Sequence, residues 1–131
     1  MQEKKVDVLI VGAGPAGAAC ALQLGKAGLS VAILDKSVSP RDKTCGDALS
    51  VDVVNQLEIL SPDLAEAFHN FLHKVSSYGV KIVAPNQQHI DIPFFHREKE
   101  KCGFLCTRFD FDNLLVEQIR KISGITLLEN C

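Results

Sequence analysis

The sequence predicts an α/β fold, a βαβ core with a parallel sheet into which an antiparallel hairpin is inserted. Three observations carry that prediction. An apolar run, Val8-Leu9-Ile10-Val11, stops at the cluster Gly12-Ala13-Gly14-Pro15-Ala16-Gly17 and gives way to an alanine-rich helical stretch. A second apolar run, Leu29-Ser30-Val31-Ala32-Ile33-Leu34, follows and ends in Asp35. Farther along, residues 75–94 alternate between apolar and polar positions on either side of Pro85-Asn86-Gln87-Gln88.

The first run is a strand, and the glycines after it have separate mechanical jobs. Gly12 permits a sharp turn, Gly14 lacks the Cβ that would hold a pyrophosphate off the backbone, and Gly17 lets the helix pack close to the strand. The helix spans 15–27, with Pro15 at its first position, where a missing N–H costs nothing, and Gly28 as its C-terminal stop. Its first N–H groups and its dipole favour an anion at the loop. Residues 29–34 form the second, buried parallel strand, and Asp35 stands where an acid accepts hydrogen bonds from a ribose. A plain tight turn in an α/β unit would use some of these features. Strand, glycines, helix, strand and acid together read as a Rossmann-like dinucleotide site, and Asp35 disfavours a 2′-phosphate.

Composition narrows the function classes. The chain has 131 residues, enough for one domain with a real core, and a formal net charge of −2. No basic stripe interleaved with aromatics suggests nucleic acid. Met1 to Lys5 lead into the first strand without an apolar signal core, and no run reaches the roughly 20 apolar residues of a membrane span. The expected location is cytoplasmic. Five cysteines (Cys20, Cys45, Cys102, Cys106 and Cys131) read as reduced thiols. Cys102 and Cys106 lack a second pair for zinc, and His69 and His73, at helical spacing, lack a third ligand, so no metal site is expected.

Residues 36–47 are polar, basic and aperiodic, a loop leaving the carboxyl end of the second strand, where open α/β sheets bind ligands. Lys36, Arg41 and Lys43 could meet phosphates there, or simply be solvated. Asp47 is the expected cap of a helix over 48–60 with Leu49, Val53, Leu57 and Leu60 on one stripe. Ser61-Pro62 starts another helix carrying Leu64, Phe68, Phe71 and Leu72. Strands over 75–84 and 89–94 make the hairpin, the start of a second antiparallel layer of the kind that walls a substrate pocket. His96 to Lys101 reads as a solvated loop. Residues 103–108 are extended, Asp110 is the expected cap of a helix bearing Phe111, Leu114, Leu115, Ile119 and Ile122, and 125–129 is the third parallel strand. A complete doubly wound nucleotide domain would continue past that point.

Together these stretches resemble the N-terminal part of flavin-dependent reductases and monooxygenases typified by para-hydroxybenzoate hydroxylase, and more closely the geranylgeranyl reductase family. The resemblance rests on Asp7 to Gly17, on Leu34-Asp35-Lys36, on Lys43-Thr44-Cys45-Gly46-Asp47 and on Arg108-Phe109-Asp110-Phe111-Asp112, in the family's order. It implies one partial FAD/NAD(P)-binding domain over 1–131, with 75–101 beginning the substrate-side layer, and FAD as the cofactor. It would put the FAD pyrophosphate at Gly12, Ala13, Gly14, Pro15, Ala16 and Gly17, and the ribose at Asp35 with Lys36 nearby. Arg41 joins the cofactor set, Cys45 and Gly46 would lie near the isoalloxazine ring, and Arg108 would approach from the side.

The implied chemistry is reduction of isoprenoid double bonds, or oxidation of a small molecule, by flavin that an external electron donor reduces. Cys45 is the one candidate catalytic residue. An isoprenoid lipid substrate would bring the protein to a membrane surface peripherally. The family's later Gly-Asp motif is not among these residues, which speaks for one alternative, a catalytically silent nucleotide-binding or interaction module; part of an aromatic hydroxylase or halogenase from the same superfamily is the other. Self-association through the open sheet edge is a further expectation.

Overall fold

The computed structural model describes residues 5–96, 99–100 and 102–131. Three strands, β1 (Val8–Val11), β2 (Val31–Leu34) and β10 (Ile125–Leu128), form a parallel sheet in the order β1-β2-β10. The register sets Val8 against Val31 and Ile125, and Ile10 against Ile33 and Leu127, so these side chains share one face. Helices α1 (Pro15–Lys26) and α4 (Arg108–Arg120) cover that face. The small buried residues Ala18 and Ala21 of α1 bring it close to the buried Leu115 and Ile119 of α4. On the opposite face Leu9 and Val11 are 58% and 82% exposed.

Between β2 and α4 lie a loop and a second, antiparallel layer. Strand β3 (Ala48–Leu49) is followed by α2 (Val51–Leu60), α3 (Pro62–His69), β4 (Val75–Ser77), β5 (Gly79–Val83) and β6 (His89–Pro93). Then come β7 (Phe95–His96), β8 (Lys99–Glu100) and β9 (Gly103–Leu105). β9 is the centre of a three-stranded sheet, β3-β9-β4, and β5 pairs with β6 as the expected hairpin, Val80 facing Ile92 and Ile82 facing Ile90. Phe68 of α3 is fully buried and meets Phe104 and Phe111 edge-on, with ring centroids 5.3 and 6.1 Å away, which ties the second sheet to α4.

Several elements differ from the sequence expectation, each for a physical reason. Asp47 does not cap a helix starting at Ala48. Its backbone has φ 54°, its carbonyl accepts the Cys106 N–H at 2.8 Å, and Ala48 and Leu49 pair with Leu105 and Phe104. α2 therefore begins only after Ser50. α3 ends at His69, so Phe71 and Leu72 lie beyond it and Leu72 is 91% exposed. His69 and His73 therefore share no helical face: His69 faces Glu58 and His73 faces Asp110.

The strand expected over 75–84 is divided at Tyr78, because β4 turns to β9 while β5 turns to β6. α4 is capped by Thr107 rather than Asp110. The Thr107 hydroxyl accepts the Asp110 N–H at 3.2 Å and donates to the Asp110 carboxylate at 2.7 Å. The expected loop over 96–101 contains all but Phe95 of a short strand pairing, Phe95 with Glu100 and His96 with Lys99; Arg97, Glu98 and Lys101 fall outside the described residues, as do Met1 to Lys4.

Candidate nucleotide-binding site

The turn after β1 is built on two glycines that no other residue could replace without strain. Gly12 has φ +102° and donates its N–H to the Leu34 carbonyl at 2.7 Å, which anchors the turn to β2. A Cβ on Gly17 would lie 1.9 Å from the Gly12 carbonyl oxygen, so the first turn of α1 passes directly over the loop. The result is an open groove of about 760 Å³ at the carboxyl end of β1 and β2, with the N-terminus of α1 at its floor.

Gly12, Gly14, Pro15, Ala16, Gly17, Asp35, Lys36, Arg41 and Arg108 all line this groove, joined by Asp42 and Lys43 from the loop. Ala13 is buried behind it and contributes through its backbone. Its N–H donates to Asp35 Oδ2 at 2.7 Å, and the Ser37 N–H donates to Asp35 Oδ1 at 2.8 Å. Each oxygen thus keeps a second acceptor position. Burial pushes the Asp35 carboxyl up, but the Ser37 and Ala13 amides and the cations of Arg41 and Lys36 outweigh it and hold Asp35 below the usual carboxylate range.

Two arginines overhang the loop. An ideal Cβ at Gly14 would lie 3.3 Å from Arg41 Nη2 and 3.8 Å from Arg108 Nη2, so the guanidinium groups come from distant segments to one spot above the glycine. Both are held by Asp112, one turn along α4 from Arg108. Arg108 makes a two-pronged contact with it, Nε to Oδ1 at 2.6 Å and Nη2 to Oδ2 at 2.8 Å, and Arg41 Nη2 lies 3.3 Å from Oδ2. The paired carboxylate drives the Arg108 guanidinium above its already high ordinary range. Asp112 is 2% exposed, the one buried charged residue among those described. In the sequence Asp112 stands only as the last residue of the Arg108-Phe109-Asp110-Phe111-Asp112 motif, with no role of its own; its spacing of four from Arg108 is the signal that marks it.

The loop over 36–47 is tied at Ser39, Arg41 and Asp47 to α4 and to Glu129, just past β10. The Ser39 N–H donates to Glu129 at 2.6 Å, the Ser39 hydroxyl meets Asn113 at 3.3 Å, and the Arg108 N–H donates to Asp47 Oδ1 at 3.2 Å. Arg41 is therefore presented by a braced segment.

Cys45 and Gly46 do not line the glycine groove. Gly46 borders a separate hollow with Asp47, His73 and Leu105, and Cys45 is exposed between the two, next to Arg108. The Asp47 backbone amide and then the Arg108 guanidinium hold the Cys45 thiol below its ordinary value, the condition for a reactive thiolate. Cys106 is the opposite case: burial pushes it up to about 11. Among the described residues no cluster of three or more His, Cys, Asp or Glu is arranged to hold a metal ion, and no helix is long and apolar enough to cross a membrane.

Comparison with known proteins identifies the family. Residues 5–95 match the model of the family described as FAD binding domain. Geranylgeranyl diphosphate reductase of Rhodobacter capsulatus is 33% identical over 119 residues, covering 89% of this chain and 26% of that protein. Menaquinone reductase of Mycolicibacterium smegmatis is 46% identical over 56 residues, which are 43% of this chain and 14% of that protein. The crystal structure of a flavoprotein/dehydrogenase from Cytophaga hutchinsonii superposes with a TM-score of 0.77 at 25% identity, covering 97% of this chain and 30% of its own. The chain thus spans less than a third of each of these proteins.

Proposed function

The chain belongs to the FAD binding domain family, and we propose that it is the cofactor-binding part of a flavin-dependent oxidoreductase resembling geranylgeranyl reductases, which reduces double bonds of an isoprenoid or related small molecule. The observation that carries this reading is the meeting of Arg41 and Arg108 over Gly14 at the N-terminus of α1. The residues fit FAD by charge and by the groove they line: Gly14 has no Cβ, and two guanidinium groups stand against that face of the loop. A pyrophosphate carries the charge that a helix N-terminus and two arginines favour.

Within this reading the backbone of Gly12 to Gly17, including Ala13, Pro15 and Ala16, holds the pyrophosphate. Asp35 accepts ribose hydroxyls on its two remaining acceptor positions, and Lys36 adds charge beside it. Cys45 and Gly46 sit toward the reacting end, where a thiol kept easy to deprotonate can touch substrate or the flavin. The bound flavin supplies the redox chemistry, taking electrons from an external donor and passing them to substrate. The protein's part is to orient it. The reading also places the protein in the cytoplasm, at a membrane surface only where a lipid substrate takes it. The outer edge of β1, which pairs with β2 alone among the described strands, is offered to further chain or to a second copy.

The test is the visible absorption of the purified chain after incubation with FAD and gel filtration. Flavin absorbance travelling with the protein, and lost in Gly14→Val, is the expected result. A colourless wild-type protein would refute cofactor binding by this chain.

A further inference from the structure

We infer that Asp112 is a positioning residue for anion recognition: from inside the core it sets Arg41 and Arg108 in place over Gly14 before any ligand arrives. The inference rests on the reading of the groove as a pyrophosphate site and goes beyond it, because Asp112 itself does not line the groove.

The geometry carries it. Both carboxylate oxygens are occupied by guanidinium nitrogens, and two of the three nitrogens involved, the Nη2 atoms of Arg41 and Arg108, are the ones that face the loop. Arg41 Nη2 is 3.3 Å from Asp112 Oδ2 and 3.3 Å from the Cβ position of Gly14; Arg108 Nη2 is 2.8 Å from Oδ2 and 3.8 Å from that same position. Two long side chains from separate segments would otherwise sample many rotamers, and ordering them would weigh against binding. Here the ordering is done by folding. A buried carboxylate with 2% exposure is costly unless its partners satisfy it, so Asp112 and the arginines hold one another in one arrangement. One negative charge against two positive leaves a net positive site, suited to a diphosphate. The contacts also divide the work: Arg108 is gripped through two nitrogens, whereas Arg41 is held by a single longer contact.

Asp112 also opposes an anion by its own charge, and the two effects give opposite signs on removal. If prepositioning dominates, Asp112→Asn lowers affinity for ADP about tenfold and leaves adenosine binding unchanged, since only the diphosphate meets the arginines. Both titrations can be followed by nuclear magnetic resonance on the 131-residue chain, with the melting temperature as a fold check. Unchanged or tighter ADP binding by the folded variant overturns the inference while leaving the groove reading intact. Equal weakening of ADP and adenosine would show a merely structural role and also overturns it. If wild-type chain binds neither ligand, the groove reading and this inference fall together.

A measurement on the ligand-free wild type guards against a variant that does not fold. The Arg108 Nε–H, which donates to Asp112 Oδ1 at 2.6 Å, should give a resolved signal exchanging slowly with water. Rapid exchange and motional averaging of the Arg41 and Arg108 side chains in the free protein would overturn the inference directly.

Discussion

Replacing Gly17 by alanine isolates the physical demand that the glycine loop makes on the fold. The added methyl carbon would stand 1.9 Å from the Gly12 carbonyl oxygen, 1.1 Å inside the 3.0 Å that real Cβ atoms tolerate. The obstacle is backbone, in a residue whose φ of +102° is pinned by a hydrogen bond to Leu34. No rotamer change relieves the clash, so α1 must lift from β1. Forced overpacking costs roughly 1–3 kcal/mol, and the upper end applies where the neighbour cannot move. Alanine returns about 1 kcal/mol through better helix propensity, leaving a net loss of about 2 kcal/mol. For a domain of this size that is a fall in Tm of roughly 6–10 °C.

The control is Gly25→Ala in the same helix. Its methyl would meet Ile125 Cδ1 at 2.9 Å, the flexible end of a side chain that can swing aside. Gly25→Ala should stay within about 1 kcal/mol of wild type, since the propensity gain offsets a small repacking cost. Thermal and urea unfolding, followed by circular dichroism, read both variants. Gly17→Ala melting at or above wild type, or Gly25→Ala losing as much, would refute the close-approach explanation.

Two further outcomes follow from the ionisable groups. The folded-state value of Asp35 is depressed, so its contribution to stability is fully present above its ordinary value of 3.8 and is lost as pH falls through the lower folded value. Asp35→Asn should therefore flatten the acid limb of a plot of Tm against pH; an unchanged limb would show that the Ala13 and Ser37 amides do not stabilise the carboxylate. Among the thiols, Cys45 should be alkylated by iodoacetamide at lower pH than glutathione, while the native Cys106, raised to about 11, should be spared at pH values near 8. Peptide mass spectrometry after short exposure separates the two, and equal labelling would contradict their environments.

The core of the nucleotide site was legible because its signals are local. Val8 to Val11, the spacing of Gly12, Gly14 and Gly17, the helix to Gly28 and the strand ending in Asp35 each depend on residues a few positions apart, and these elements stand where the sequence puts them, save that α1 ends at Lys26 and β2 begins at Val31 rather than Leu29. The errors also have a common origin. Asp47, Ala48 and Leu49 resemble a helix start, yet their backbone groups bond to Cys106, Leu105 and Phe104, far along the chain. Asp110 looks like a cap by composition, but Thr107 lies at the turn where the chain leaves β9. Leu72 continues an apolar stripe that the end of α3 at His69 leaves in solvent.

The sequence by itself determined the fold class, the parallel βαβ unit and most of the residues that line the groove, since turn stereochemistry and apolar periodicity act over one or two turns of chain. Tertiary structure alone decided that Arg41 and Arg108 meet above Gly14, that Asp112 holds them there from within the core, and that Cys45 lies beside Arg108 outside the groove. Those relations join segments whose separation in sequence carries no periodic signal. They form only when long loops are closed, and what stabilises that closure is burial of Phe68, Phe111 and Leu115 in a shared core.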